Sequence, residues 1–279
     1  MSAPSHTCTA VDLTVPPMNA VADLHGDPVI AELVLFMNGN QFMVMDELVA
    51  AFQSEHPEVR GVFFETIPPG KLVAQARGGT LQMGALRLSV APDVVAAGPR
   101  LLQPLCEDQI IEEPVLYARN DLAILVSAGN PKGITCLADL AKPGVRIAMP
   151  NLQFEGVAEL IAQALEKAGG PRLRQAVLDE KVASGETLWT QIHHRESALW
   201  LESGEVDACP LWSTEARHHC VDRGAPMETI TIPPEHNVTG SYGAALVSGC
   251  AHPEAAAAFL DFIVGPDGRG IYARHGFSV

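Results

Sequence analysis

The sequence predicts an α/β fold in which two halves of the chain each form a mainly parallel sheet flanked by helices. The first observation is Leu33–Phe52, where an unbroken apolar run ends at a polar turn, Asn38–Asn40, and apolar residues then recur at helical spacing. The second is that strand and helix patterns continue to alternate, which is typical of crossover connections between parallel strands. The third is that the chain leaves the first half near Asn120 and returns near Pro233.

The first half opens with the strand that ends at Met37 and the helix that follows it. A strand that feeds a glycine-containing turn and then a helix directs backbone N–H groups above the sheet edge, where ligands bind in open α/β folds. This makes Asn38–Asn40 a candidate part of a binding site. Further along, we expect strands at Val59–Phe64 and Pro92–Ala97, a turn at Glu65–Gly70 and a helix at Lys71–Arg77.

The second half continues the alternation of strands and helices. The predicted strands are Leu122–Val126, Val145–Met149 and Val206–Trp212, and the predicted helices are Leu137–Leu140, Val157–Lys167 and Gly185–Trp200. Loops are expected at two strand ends, at Pro150–Gly156 and Ser213–Ala216. The rest is predicted as an extended segment at Glu228–Ile232, a strand at Tyr242–Ser248, and helices at Pro253–Val264 and Arg269–Arg274.

Composition limits the classes of partner. The 279 residues suffice for one large domain or two modest ones, and 47% hydrophobic residues with a mean hydropathy of +0.14 exclude a disordered chain. A net charge of −15 argues against binding to nucleic acid or to an anionic membrane surface. No apolar run reaches the ~20 residues that span a bilayer. Small anions remain open as ligands because helix N-termini form local anion sites, and cations remain open too.

The N-terminal segment and the cysteines bear on location. Met1–Asp27 has no basic stretch followed by an apolar one, so the protein either stays in the cytoplasm or is a mature secreted form to which Met1 was added. We expect this segment to form an extended arm on the body of the protein. None of the six cysteines forms a C-x-x-C pair, which favours small buried hydrophobes; disulfides remain open in an oxidising compartment.

The densest polar cluster of the second half is Thr190–Ser197. The simpler interpretation is the solvated surface of a helix, with His193 and Ser197 on one face. The alternative is that His193 or a charged neighbour reaches a ligand. A metal site would then need a ligand from elsewhere in the chain, and Glu65 is the best candidate for it.

Other chemistry-bearing residues are interpreted as mostly structural. Arg217–Cys220 resembles a metal-binding tract, but it follows a strand-end loop and is predicted to be a helix surface with Cys220 turned inward. Trp189 and Trp200 are expected in the core, whereas the Trp212 ring is a candidate to stack on an organic or cationic ligand. The sequence has no G-x-S-x-G elbow, P-loop, H-E-x-x-H or G-x-G-x-x-G motif, so we predict neither an enzyme nor a cofactor.

Three blocks of the sequence resemble a known family. They are Leu122–Pro150, the segments Gly204–Ala208 and Trp212–Ala216, and the tail Phe259–Phe277. Their order resembles that of molybdate-type (type II) periplasmic solute-binding proteins of ABC transporters. The resemblance implies two lobes that are joined by two crossover strands and close on a small solute through a hinge. It implies an N-terminal arm over residues 1–27, lobe I over 28–119 plus 234–279, and lobe II over 120–233.

The resemblance also implies a ligand site made by turns at strand ends. The residues implied are Asn38, Gly39, Asn40, Glu65, Thr66, Phe154, Glu155, Gly156, Val157, Trp212 and Ser213, with His193 as a further candidate. In the first two turns only Thr66 offers a hydroxyl, where the family has serines. Glu65 would place a carboxylate where it repels an anion, by roughly 1 kcal/mol at 4 Å in water. That carboxylate would have to point away, be protonated, or contact a cation or a ligand amine.

These observations predict a protein that captures a small ligand between two lobes and delivers it to an ABC transporter permease. The first ligand class is an oxyanion of the molybdate or tungstate type, and a metal ion or a small polar organic molecule is the alternative. A ligand sensor that presents its closed form to a signalling partner is a second alternative. We expect a periplasmic monomer whose signal peptide has been removed, with no bound nucleic acid and no membrane insertion; a cytoplasmic protein remains open.

Overall fold

The computed structural model describes residues 21–84, 86–153, 155–191 and 195–279. Two residues predicted for the ligand site, Phe154 and His193, therefore lie outside the described residues. So does most of the segment that was predicted to form an N-terminal arm. Within the described residues, no helix combines the length and the apolar character needed to cross a membrane.

Strands and helices alternate along the chain. The strands are β1 (Leu24–His25), β2 (Leu33–Asn38), β3 (Val62–Ile67), β4 (Leu81–Met83), β5 (Leu86–Leu88), β6 (Val94–Ala97), β7 (Val115–Asn120), β8 (Leu122–Ser127), β9 (Ile147–Met149), β10 (Thr187–Trp189), β11 (Ala208–Trp212), β12 (Met227–Thr231) and β13 (Gly240–Leu246). The α-helices are α1 (Phe42–Glu55), α2 (Pro69–Ala76), α3 (Pro99–Glu107), α4 (Gly156–Gln175), α5 (Lys181–Ser184), α6 (Glu196–Glu202), α7 (Ser213–Arg217), α8 (Pro253–Val264) and α9 (Pro266–Arg274). Single 3₁₀ or π-helical turns lie at Val21–Asp23, Gly39–Gln41, Leu137–Ala141, Ala176–Glu180 and His218–Asp222.

These strands form two main sheets, as expected for a two-lobed α/β fold. The first sheet has the strand order β1-β3-β2-β6-β13-β7, and the second has the order β10-β9-β11-β8-β12. Strand β2 runs parallel to β3 and β6, and β9 runs parallel to β10 and β11. Antiparallel pairs occur where the chain enters and leaves each sheet, between β13 and its neighbours β6 and β7, and between β8 and its neighbours β11 and β12.

Two connections join the sheets. Strand β7 passes to β8 through Asp121, and β12 returns to β13 through residues 232–239. The Asn237 side chain in the return segment holds the two connections side by side. Its Oδ1 accepts a hydrogen bond from the Leu122 N–H at 3.0 Å, and its Nδ2 donates to the Leu122 carbonyl at 2.9 Å. A pair of adjacent crossings at one end of each sheet is the geometry of a hinge.

Strand β2 forms the centre of the first half because all six of its residues are buried. Residues of alternating parity point to opposite faces of the sheet. Leu33, Leu35 and Met37 pack in the cluster that contains the buried side of α1, and Val34 and Phe36 pack in the cluster beneath α2 and α3. Both faces of β2 are covered by other residues, which explains why its sequence is apolar from Leu33 to Met37.

Several predicted elements are confirmed. Helix α8 has the predicted bounds, Pro253–Val264. Helix α4 starts within one residue of its predicted start and is interrupted at Gly169 and Gly170, whose backbone angles are not helical. The predicted break after Lys167 is therefore present, and a further helical segment follows it. Helix α3 and the β4–β5 hairpin were not predicted.

Three predicted segments are wrong in type. Glu65 and Thr66 were predicted to lie in a turn, but they belong to β3, where they pair with Phe36 and Met37. The segment Gly185–Trp200 was predicted to be one helix, but it starts with strand β10, and helix α6 begins only at Glu196. Strand β10 has only three residues, and it is stabilised by parallel pairing with β9. This pairing cannot be read from the local sequence. The predicted loop Ser213–Ala216 is the first turn of α7.

A candidate ligand site between the two sheets

A cavity of about 430 Å³ lies between the two sheets, at the ends of several strands. Its lining comes from the end of β2, the starts of α2, α3 and α4, the end of β11, and the start of β13. These segments are widely separated in sequence and belong to both sheets. The lining residues are Asn38–Asn40, Pro68, Pro69, Gly98–Leu101, Glu155–Val157, Glu159, Leu160, Gln163, Trp212 and Thr239–Tyr242.

The end of β2 supplies two buried amides. Asn38 is 2% exposed, and its amide interacts with the buried Tyr117 hydroxyl without forming a hydrogen bond of good geometry. Asn40 is equally buried, and its Nδ2 donates a hydrogen bond of 2.6 Å to the Tyr242 hydroxyl. One N–H of the Asn40 amide therefore holds Tyr242 on β13. The Asn38 amide has no hydrogen bond of good geometry and belongs to the lining of the cavity.

Three helices begin at the cavity. Residues of the first turns of α2, α3 and α4 all line it, and Pro69 and Pro99 occupy the first helical positions of α2 and α3. First-turn N–H groups have no acceptor within their own helix, and the aligned peptide dipoles make this end of a helix positive. Proline fits the first position because it has no N–H group to leave unpaired. The lining residues at the start of α2, Pro68 and Pro69, have no N–H, so backbone donors come from the starts of α3 and α4. All three helix starts contribute positive potential.

Charged side chains in the lining are few. Among the described residues the lining holds one cation, the exposed Arg100, and two carboxylates, Glu155 and Glu159. Glu155 is 7% exposed, and its carboxylate accepts hydrogen bonds from the Asn151 N–H at 3.0 Å and from the Thr190 hydroxyl. These bonds hold the loop that precedes α4. Glu155 is therefore a positioning residue for the α4 N-terminus.

One wall of the cavity is aromatic and apolar. The ring centroids of Trp212 and Tyr242 lie 5.8 Å apart at an interplanar angle of 55°. The Trp212 ring lies so close to Gly240 that a Cβ there would approach Trp212 Cη2 to 2.4 Å. Glycine at position 240 is therefore a steric requirement for this position of the indole. Leu101 and Leu160 continue the apolar surface.

A buried polar network ties the hinge to this wall. Asn120, the last residue of β7, donates from Nδ2 to the Thr214 hydroxyl at 2.8 Å and lies 3.5 Å from the Tyr242 hydroxyl. The Ser213 hydroxyl donates to Asn120 Oδ1 at 3.0 Å. The hydroxyls of Ser213 and Thr214 at the start of α7 thus form hydrogen bonds with Asn120 inside the protein. They connect β7, α7 and β13 below the cavity.

Glu65 and Thr66 do not line the cavity. Glu65 points to the same face of β3 as Phe63 and Ile67 and is fully buried. Its Oε2 accepts a hydrogen bond of 2.8 Å from Gln75 Nε2 on α2. Burial raises the pKa of this carboxyl to about 7, against the opposing effect of the Gln75 hydrogen bond. The carboxylate predicted to oppose an anion therefore lies beneath α2.

The structure brings seven of the predicted site residues to the cavity. They are Asn38, Gly39, Asn40, Glu155, Gly156, Val157 and Trp212. Glu65, Thr66 and Ser213 lie elsewhere. The prediction missed the start of α3, although Gly98-Pro99 directly after a strand is a helix-start signal. It also missed Thr239–Tyr242, for which the local sequence offers no signal. These residues lie at the cavity because the chain returns through the hinge to the first sheet.

The described residues contain no group of three or more His, Cys, Asp or Glu side chains placed to hold a metal ion. The tract Arg217–Cys220 spans the end of α7 and the following π-helical turn. Cys220 was predicted to turn inward, and it is half-buried and packs against a core cluster of the second half. His219 is the more deeply buried residue of the tract, at 5% exposed. Burial lowers the pKa of His219 to about 4.

Comparison with known proteins matches this architecture. Residues 33–278 match the family model described as bacterial extracellular solute-binding protein. The molybdate-binding protein ModA of Mycobacterium tuberculosis H37Rv is 24% identical over 234 residues, which cover 82% of each chain.

Solved structures with the same fold include the periplasmic molybdate-binding protein of Azotobacter vinelandii, with a TM-score of 0.70, 18% identity, and coverage of 88% of this chain and 99% of that one. They also include the L-phospholactate-bound form of PEB3, a Campylobacter jejuni protein, with a TM-score of 0.65, 14% identity, and coverage of 88% and 99%. The family match extends over nearly the whole described chain and both sheets. The chain therefore belongs to the bacterial extracellular solute-binding protein family.

Proposed function

We propose that this protein captures a small oxyanion in the cavity between its two sheets and delivers it to an ABC-type permease outside the cytoplasm. The observation that carries the proposal is the convergence of three helix N-termini on one cavity whose lining includes the Asn38 amide, which has no hydrogen bond of good geometry. Backbone N–H groups at helix starts are ready-made partners for anions. A buried amide without a partner is costly unless a ligand completes its hydrogen bonds.

The overall charge of −15 is compatible with an anionic ligand. Exposed charges farther away than about 8 to 10 Å are largely screened at physiological ionic strength. The field inside the cavity is therefore set by the nearby helix ends, Arg100 and the two lining carboxylates. The molybdate-binding function of the ModA relative makes tetrahedral oxyanions the first compounds to test.

The proposed mechanism is closure of two bodies on the ligand. We propose lobe I as residues 28–119 plus 234–279 and lobe II as residues 120–233, rotating about the paired connections near Asn237. In this arrangement lobe I contributes Asn38 and the starts of α2 and α3, and lobe II contributes the start of α4 and Trp212. Ligand binding would stabilise the closed form because only that form brings both sets of groups together.

A titration with candidate ligands tests the proposal. The purified protein is examined by thermal shift and by calorimetry with molybdate, tungstate, sulfate and phosphate, and with zinc and manganese chlorides. We expect at least one oxyanion to raise the Tm, since a ligand that binds only the folded state stabilises it. A Tm increase with a metal ion and with none of the oxyanions would contradict the proposal.

A variant pair locates the binding site. Asn38→Leu keeps the side-chain size but removes both hydrogen-bonding atoms, and we expect about a tenfold or greater loss of oxyanion affinity. The control is Gln103→Leu, which makes a similar change on the exposed surface of α3 outside the lining. Equal affinities for the two variants would exclude Asn38 from the site.

A further inference from the structure

We infer that the ligand is an organic oxyanion, an acid group attached to a compact apolar or aromatic body, and not a bare inorganic ion. The inference rests on the proposed function and narrows its ligand class. It follows from three properties of the cavity: its volume, the division of its lining into a polar and an apolar part, and its balance of charged side chains.

The cavity is large for an inorganic oxyanion. A water molecule occupies about 30 Å³ of the liquid, so four oxygen atoms around a central atom fill roughly 120 Å³. The cavity measures about 430 Å³. A volume in the range of 300 to 1,000 Å³ is typical of sites for small organic ligands. An inorganic ion at the helix starts would leave most of this space to water.

The lining separates into two kinds of surface. The Asn38 amide and the helix starts offer hydrogen-bond donors on one part. The other part is formed by Pro99, Leu101, Leu160, Trp212 and Tyr242. Of these, Tyr242 packs its ring against Trp212, and its hydroxyl accepts the Asn40 hydrogen bond. Apolar surface offers no replacement for the water that an oxyanion loses, whereas it favours a carbon body.

The charged side chains of the lining favour a weakly charged ligand. Arg100 is the cation of the described lining, and Glu155 and Glu159 are its carboxylates. An inorganic dianion would meet more negative than positive formal charge. A monoanion with an apolar body experiences less repulsion and gains affinity from the aromatic wall. Both effects favour an organic monoanion over an inorganic dianion, as the cavity volume does.

Matched pairs of acids test the inference. Calorimetry compares benzoate with acetate and phenylphosphonate with methylphosphonate, so that the acid group is constant and only the carbon body changes. Phosphate, sulfate and molybdate complete the set. We expect the aromatic member to bind about tenfold or more tightly in at least one pair, and more tightly than any of the inorganic ions.

Three outcomes are distinguishable. A preference for the aromatic member supports the inference. Binding that is tightest for an inorganic ion, with no gain from the carbon body, overturns it and leaves the proposed oxyanion function intact. Absence of binding by every anion in the set overturns both.

Variants of the apolar wall connect the preference to the structure. Leu160→Ala and Trp212→Ala should reduce affinity for the aromatic acids about tenfold while changing affinity for the methyl acids by less than about twofold. If Trp212→Ala fails to fold, Leu160→Ala alone tests the inference. Leu160 is only half-buried, so we expect this variant to fold. The control is Leu199→Ala on α6, where the leucine is 54% exposed and outside the lining. An aromatic preference that survives both wall variants would overturn the inference.

Discussion

Glu65 illustrates how burial determines the state of a single side chain. Its Oε2 accepts the Gln75 hydrogen bond, but its Oε1 and the neighbouring Gln75 Oε1 have no hydrogen-bond partner. Both of these atoms are acceptors when the carboxyl is ionised. A proton on Glu65 converts one of its oxygens into a donor, so the buried pair has fewer acceptors left without a partner. The pKa raised by burial to about 7 reflects the same preference for the neutral form.

Glu65→Gln is expected to alter the pH dependence of stability. The pKa of Glu65 is about 7 in the folded protein against an ordinary value of 4.5, so the folded state holds an additional proton between these pH values. The wild type therefore loses free energy of unfolding as pH rises through this range, by roughly 3 kcal/mol in total. The variant has no such proton, and its stability relative to wild type should increase steadily from pH 4.5 to pH 7.

Urea unfolding at several pH values measures this difference. Taking the difference between variant and wild type removes the contribution of His219, whose lowered pKa of about 4 makes stability fall as pH drops below 6.5 in both proteins. A difference that does not change between pH 4.5 and pH 7 would show that Glu65 does not titrate in this range.

Gly240→Ala is expected to displace the Trp212 ring. The added Cβ would lie 2.4 Å from Trp212 Cη2 and 2.9 Å from Cζ3, so the indole must move. We expect a loss of roughly 1 to 3 kcal/mol in stability, a change in tryptophan fluorescence and weaker ligand binding. The matched control is Gly70→Ala in α2, where no atom lies within 4 Å of the new Cβ. Unchanged fluorescence in Gly240→Ala would contradict the steric argument.

At the scale of elements, Asp93 joins three parts of the first half. It is 1% exposed and lies just before β6. Its carboxylate accepts hydrogen bonds from the Val34 N–H of β2 at 2.8 Å and from the His252 N–H before α8 at 3.0 Å, and its Oδ2 is 2.9 Å from His252 Nδ1. One side chain thus fixes β2, β6 and α8 at the end of the sheet opposite the cavity.

Asp93→Ala should be strongly destabilising. It leaves two backbone N–H groups without their acceptor, and the expected loss in free energy of unfolding is roughly 3 kcal/mol. The control is Asp27→Ala, which removes an exposed carboxylate that accepts a single N–H from Val29. This control should change stability by less than about 0.5 kcal/mol. Similar unfolding midpoints for the two variants would contradict the role assigned to Asp93.

The elements differ in how far the sequence predicts them. Helix α8 was predicted to the residue because its start at Pro253, its apolar spacing and its stop at Gly265 are all local signals. Strand β10 was mistaken for part of a helix because Leu188 and Leu199 happen to lie at helical spacing. Its strand conformation depends on pairing with β9, about 40 residues earlier in the chain. Periodicity alone does not contain this information.

At the scale of the whole molecule, an ion pair connects the two sheets far from the hinge. Asp23 directly precedes β1, the edge strand of the first sheet, and Arg195 follows β10, the edge strand of the second. The Arg195 guanidinium donates a hydrogen bond to Asp23 Oδ1. The hinge connections lie at β7, β8 and β12, toward the opposite edge of each sheet. In the proposed closure about the hinge, the pair bridges the two bodies on the side where they move apart.

Asp23→Asn is expected to weaken closure. The pair joins the two sheets, so the proposed closure would form it, and its loss should lower ligand affinity about two- to fivefold. The radius of gyration of the ligand-free protein should increase, as measured by small-angle X-ray scattering. The control is Asp108→Asn, which breaks the exposed pair with Arg77 inside the first half. Equal affinities in the two variants would argue against a role of Asp23 in closure.

The sequence by itself determined the α/β class, the strand-to-helix turn at Asn38–Asn40, the bounds of α8 and the start of α4, because these depend on spacing and on capping within a few residues. It also carried the family resemblance that the comparison supports. Only the tertiary structure decided which strand-end residues meet at the cavity. A side chain changes face with each residue along a strand, so Glu65 lies beneath α2 although it is close to the strand end. Tyr242 reaches Asn40 across 202 residues because the chain passes through the hinge twice. The cavity is a property of both sheets together, and no segment of the sequence contains it.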